Sequence, residues 1–224
     1  QTRQRELTGS EFLSLEQQRI VAISIAMRTR DGFKVWSLGE PESSEEELVR
    51  RFFDGIERLS PTLVSWNGSG FDLPVLHYRA LRHRVQAHRY WEMGDEDQAF
   101  RWNNYISRFH WRHVDLMDVL AGFQGRGRVG LDKMAQLLGF PGKLGMSGEQ
   151  VWDAHLAGCA EDIRNYCETD VVNTYLIYLR FELMRGRLTH EEHDREVDLV
   201  RQTLRESPRG HLQEYAHAWA KCAC

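Results

Sequence analysis

Thr62-Leu63-Val64-Ser65-Trp66-Asn67-Gly68-Ser69-Gly70-Phe71-Asp72 reads as an apolar strand, a glycine-rich turn and the start of a helix. Thr62 to Trp66 is apolar without alternation, which predicts a strand covered on both faces, parallel and central in its sheet. The helix that follows is predicted from Asp72 to about Arg84. A strand feeding a helix through a short turn is the unit of layered α/β folds. Ligands in such folds gather beyond the carboxyl ends of strands, which is where Asn67 and Asp72 fall.

The flanking sequence supports the same architecture. Arg19 to Arg28 is β-branched and apolar on both faces, so Ile20 to Met27 is predicted to be a buried strand. Phe33 to Leu38 alternates like its partner, and Arg30-Asp31-Gly32 supplies the hairpin turn. Ser43 and Ser44 each precede a Glu by three residues, a helix-start signature. The helix from Glu45 to Leu59 carries Leu48, Phe52, Ile56 and Leu59 on one face. Residues 89–112 have no period and read as a long loop with broken helix, and residues 113–116 as a short strand. Helices are predicted over residues 131–138, 149–156, 161–185, 189–205 and 212–220. The order is hairpin, helix, strand, helix, strand, then helices: a mixed sheet flanked by helices, with residues 187–224 as appended helices on a single domain.

Composition excludes several classes. The longest apolar run, Ile20 to Met27, is too short to span a bilayer, and Gln1 to Gln18 is too polar for a signal peptide. Four cysteines in 224 residues do not form a disulfide framework, which predicts a reducing, cytoplasmic setting. A net charge of −4 argues against a broad nucleic-acid-coating surface, though not against a local grip built from arginine.

Two carboxylates carry chemical potential. Asp72 opens a helix after a glycine turn, where it serves as an N-cap, a metal ligand or both. Asn67 is placed to bond either its own turn or a phosphate. Tyr166 and Asp170 are four apart and share a helix face. Asp is a poor interior helix residue, and Val171 and Val172 beside it point to burial, so it needs a partner or a metal.

Jointly these motifs resemble the DEDD family of 3′–5′ exonucleases, and in particular a stand-alone relative of the proofreading domain of family-B DNA polymerases. Asn67-x4-Asp72 with Phe71 before the Asp matches that family's second motif. Tyr166-x3-Asp170 matches the third in its tyrosine form; the histidine form would need His where Asn165 stands. His113-Val114-Asp115-Leu116-Met117-Asp118 and Lys143-Leu144-Gly145-Met146 are also similar, and the resemblance covers roughly residues 19–182. It implies a ribonuclease-H-like fold and two-metal hydrolysis with Mg²⁺ or Mn²⁺, in which Asp72 and Asp170 are metal ligands and Tyr166 orients water. It further implies single-stranded DNA, favoured over RNA, as substrate, contacted by Asn67, Phe71 and Lys143. The family's first motif, Asp-x-Glu on an opening strand, has no counterpart here: Gln1 to Gln18 holds Glu6, Glu11 and Glu16 but no Asp. The expectation is that this strand is encoded upstream of Gln1 and that the 224 residues alone are nearly inactive. The rival expectation is a catalytically decayed nucleic-acid-binding module of the same fold.

Arg79, Arg82, His83, Arg84, His88 and Arg89 form a basic run, with Arg82 and Arg84 as candidate phosphate contacts. Trp91, Phe100, Trp102, Tyr105, Phe109 and Trp111 follow, interleaved with arginines, either as base-stacking surface or as core anchors of a loop. Gly125-Arg126-Gly127-Arg128-Val129-Gly130 fits G-x-G-x-x-G, but follows a helical segment rather than a clear strand and is read as a flexible glycine loop whose arginines are candidate DNA contacts. His190-Glu191-Glu192-His193 has the wrong spacing for a zinc site and reads as a helix cap.

Overall fold

The computed structural model describes residues 13–222. Glu6 and Glu11, and Cys224 of the C-terminal Cys-Ala-Cys, lie outside that range. The fold is α/β, with both antiparallel and parallel strand pairing and helices closing the C-terminal part. Its strands are β1 (Ser24–Thr29), β2 (Gly32–Ser37), β3 (Leu63–Ser65) and β4 (His113–Asp115). Its helices are α1 (Glu45–Leu59), α2 (Asp72–His83), α3 (His88–Trp91), α4 (Leu116–Leu120), α5 (Leu131–Leu137), α6 (Val151–Leu156), α7 (Ala160–Met184), α8 (His190–Arg205) and α9 (Gly210–Cys222).

β1 and β2 form an antiparallel hairpin closed by Arg30 and Asp31, with Thr29 opposite Gly32. β2 alternates as expected, burying Phe33, Val35 and Ser37. β1 departs from expectation twice. Its ladder begins at Ser24 rather than Ile20, and none of its residues is fully buried. The reason is pairing: among the described residues β1 bonds β2 along one edge, so its apolar faces are only partly covered. β3 and β4 pair in parallel in a second two-stranded ladder, Leu63 opposite His113 and Ser65 opposite Asp115. β3 is parallel as read, but with one partner it is half-buried rather than central.

α7 is the spine. It packs against β1, β2 and β3 on one side and against α5, α6, α8 and α9 elsewhere. Val172, Leu176, Ile177 and Leu179 on α7 are buried among Val114, Leu116, Val200, Leu204, Tyr215 and Trp219. A second core joins α1 and α2 to the segment after α3, around Phe53, Leu76, Tyr90, Phe100 and Tyr105. The α1 face is Leu48, Val49, Phe53 and Ile56; Leu59, expected inside, is exposed at the last turn. Glu45, expected in solvent, is buried and bonds Arg79, His83 and the Ile20 amide. Thr189 and Glu192 cap α8 reciprocally, as their spacing requires. Among the described residues no helix is long and apolar enough to cross a membrane.

Candidate active site

The turn after β3 is built by hydrogen bonds from a buried carboxylate. Asn67 takes the left-handed backbone region at φ 64°, which Asn tolerates better than most residues. Its carbonyl accepts the Gly70 and Phe71 amides at 3.1 and 3.0 Å. Asp115, buried at the end of β4, accepts the Asn67 amide at 2.9 Å on one oxygen and the Ser69 amide at 2.8 Å on the other. Parallel pairing of Ser65 with Asp115 sets that reach. A Cβ on Gly68 would strike the Ser65 side chain, and one on Gly70 would strike the Asn67 amide oxygen. Close approach to the Ser65 Cβ, not backbone sign, therefore demands glycine at 68, while at 70 a side chain would make the Asn67 amide shift.

This turn delivers Asp72 as the first residue of α2. Phe71 holds the N-cap position and makes no side-chain cap bond. Asp72 is not a conventional cap either; its carboxylate bonds its own backbone amide. It keeps an exposed side, yet burial pushes its pKa up to about 6, with the charges of Asp115 and Asp170 adding to the shift.

Asp170 faces this carboxylate from α7. Burial raises its pKa, against the bond from the Tyr166 hydroxyl and the charge of Lys143; Asp132 adds to the rise. Its Oδ1 is fully buried and has no hydrogen-bond partner. An orphaned carboxylate oxygen carries a desolvation cost of about 1–3 kcal/mol or more. A cation removes that cost, and two carboxylates without nitrogen or sulfur donors suit a hard divalent ion. The Tyr166 phenol is pushed well above its ordinary value, first by burial and then by Asp170. Tyr166 therefore holds its proton and donates it in a hydrogen bond. Cys167, beside it, has its thiol pushed up to about 12 by burial and by the same acidic groups.

Lys143 stands over this pair. Its Nζ lies 5.8 Å from the Tyr166 ring centroid, and its amide donates to Asp132 Oδ1 at 2.8 Å. The structure thus brings together Asp72, Tyr166, Asp170 and Lys143 from three separate segments, with Asn67 and Phe71 in the turn that leads into Asp72.

A family model described as a predicted 3′–5′ exonuclease related to the exonuclease domain of PolB matches residues 10–219. The chain belongs to this family. DNA polymerase 1 of Sulfurisphaera ohwakuensis is 49% identical over 43 residues, which is 19% of this chain and 5% of the polymerase. In this exonuclease-family chain, as in the resemblance read from its motifs, the relation is to the proofreading part of a polymerase.

Arg82 and Arg84 are not part of the constellation. They lie at the far end of α2, about 15 Å of helix rise from Asp72, and Arg84 serves as the left-handed C-cap. Other members of the basic run are spoken for: Arg79 and His83 bond Glu45, and Arg89 bonds Asp97 and Ser60. Phe100 and Tyr105 are core anchors, with Arg89 and Arg112 over the Phe100 ring at 4.2 and 3.9 Å. Trp102, Phe109 and Trp111 remain exposed. Asp115 lies in a stretch that motif reading quoted without giving the residue a role. Its signal was an Asp ending a short buried strand, in register with the residue just before the turn it holds.

Among the described residues, His88, Glu92 and Glu96 also approach one another as a ligand set. Glu92 there already accepts the Gly94 and Glu96 amides at 2.6 and 3.2 Å, which satisfies its charge without an ion.

Proposed function

We propose that this chain is the nuclease part of a metal-dependent 3′–5′ exonuclease acting on single-stranded DNA. The observation that carries the reading is the orphaned, buried Oδ1 of Asp170 together with Asp72, whose carboxyl is raised by burial and further by the charges of Asp115 and Asp170. Two Mg²⁺ or Mn²⁺ ions held by Asp72 and Asp170 would supply water activation and neutralisation of the charge that develops at the phosphate. The remaining ligands in this reading are the Asp-x-Glu pair of the family's opening strand, which Gln1 to Gln18 does not hold.

The chain's own groups divide the other tasks. Tyr166 keeps its Oη proton and fixes the rotamer of Asp170 by donating to it. Lys143 offers a cation to the phosphate at the mouth of the site. Asn67 and Phe71 border the terminal nucleotide, and the Asp115-locked turn lets backbone come close to it. Arg82 and Arg84 contribute only to strand reaching along α2.

The test uses 5′-labelled single-stranded DNA with Mn²⁺. It compares this chain, the chain extended to its encoded start, and the extended Asp170→Ala variant. A 3′-shortening ladder from the extended protein alone supports the reading. No ladder from any form, with DNA binding retained, favours a decayed binding module.

A further inference from the structure

The exonuclease reading leaves one surface cluster unused. It begins where α4 ends. Gly122 and Phe123 follow the helix in consecutive left-handed conformations, at φ 58° and 59°. Glycine adopts that region freely, but a phenylalanine there is strained and persists only when its surroundings hold it. The Phe123 amide donates to the Asp118 carbonyl at 2.8 Å, and its ring meets Phe109 edge-on with centroids 5.2 Å apart. Phe109 is 70% exposed. The Arg108 guanidinium lies 4.7 Å from the Phe123 ring centroid.

This cluster is continuous with the catalytic turn. Asp118, one helical turn after Asp115, accepts Arg128 at 2.6 Å and Arg108 at 3.5 Å. The Trp66 indole, adjacent to Asn67, donates to the Val129 carbonyl at 3.1 Å. Arg126 stands exposed two residues before Arg128. Asp118 pairs with two arginines and Arg126 adds a third cation, so the strip is net positive while the whole chain is −4. An exposed Phe109 ring backed by the half-buried Phe123, among surplus guanidinium groups, matches unpaired bases joined by phosphates.

We infer that Phe109, Phe123 and Arg108, with Arg126 and Arg128, form a stacking platform for the nucleotides behind the 3′ end of a single strand. The inference rests on the exonuclease reading and adds the path by which substrate reaches that site. Stacking is tolerant of base identity, so the platform grips any sequence.

The test is anisotropy of labelled oligothymidylate about twelve and about three nucleotides long, with metal chelated to prevent cleavage. Phe109 and Arg108 are exposed, so their variants fold. Phe109→Ala and Arg108→Ala each weaken the long strand about tenfold, Phe109→Trp restores it, and the short strand is unaffected. Unchanged long-strand binding by Phe109→Ala overturns the platform. So does a loss that follows only Arg82→Glu and Arg84→Glu. If the unaltered chain binds neither strand, the exonuclease reading fails and the platform with it. If it binds the short strand but ignores Phe109, the platform alone fails.

Discussion

The Tyr215 hydroxyl donates to Asn173 Oδ1 at 2.6 Å, with both side chains fully buried between α9 and α7. The same Asn173 donates through Nδ2 to the Gly142 carbonyl at 2.9 Å. One amide therefore links the last helix to the loop that carries Lys143. Tyr215→Phe leaves the Asn173 oxygen unpaired, an expected loss of about 1–3 kcal/mol in urea unfolding. Hydrogen exchange at the Lys143 amide should accelerate in the same variant. Slow exchange at Lys143 despite the stability loss would mean that α9 supports the core without holding the loop.

The Asp72 carboxyl, at about 6 instead of 3.8, makes the metal-free protein sensitive to pH. Between those values the folded state binds more protons than the unfolded one, so stability falls as pH rises. Asp72→Asn should therefore raise the melting temperature in chelator at about pH 7.5 and give no gain at about pH 4. Mn²⁺ should reverse the ranking at about pH 7.5, stabilising the wild type more than the variant. Equal melting temperatures at both pH values would show that burial and the neighbouring acids do not hold the Asp72 carboxyl above its ordinary value.

Helix positions were legible because each depends on neighbours in sequence. Thr189 and Glu192 cap each other within one turn, and Tyr166 and Asp170 share a face by spacing alone. What escaped depends on distant pairing. Glu45 looks like a solvated helix-start residue until α2 brings Arg79 and His83 to it. Arg82 and Arg84 read as part of one site with Asp72 until the axis of α2 sets them about 15 Å of helix rise away from it. Asp115 becomes a site residue only through the register of β4 on β3. The aromatic run likewise split by tertiary context: Phe100 and Tyr105 went to the core and Phe109 to the surface.

Glu168 is buried on α7 and accepts Ser37 at 2.8 Å, Arg209 at 2.7 Å and His211 at 2.7 Å. Burial alone would raise its carboxyl, but the His211 and Ser37 bonds and the Arg209 charge outweigh it and hold it below its ordinary value. A depressed carboxyl contributes stability above its unfolded pKa, and that contribution is lost as pH falls through the lower folded value. Glu168→Gln should lower stability near neutral pH and flatten the acid limb of the unfolding profile. The neighbouring α8–α9 segment should show faster amide exchange. An acid limb as steep as that of the wild type would assign acid sensitivity to other carboxylates.

Asp115 satisfies two backbone amides of the turn that sets Asp72, at 2.9 and 2.8 Å. Bonds from amides to an ionised carboxylate are worth roughly 1.5–3 kcal/mol each. Asp115→Ala should therefore cost about 3 kcal/mol or more and loosen residues 67–71. Asp115→Asn keeps one acceptor oxygen but sets an amide donor against the second N–H, so it should recover only part of the loss. The discriminating measurement is Mn²⁺ titration of each variant in parallel with urea unfolding. If Asp115 acts through the turn, Asp115→Asn loses Mn²⁺ affinity although α2 and β4 remain folded, because Asp72 is no longer held in place. Undiminished Mn²⁺ affinity in a destabilised Asp115→Asn protein would assign Asp115 to the strand pairing alone.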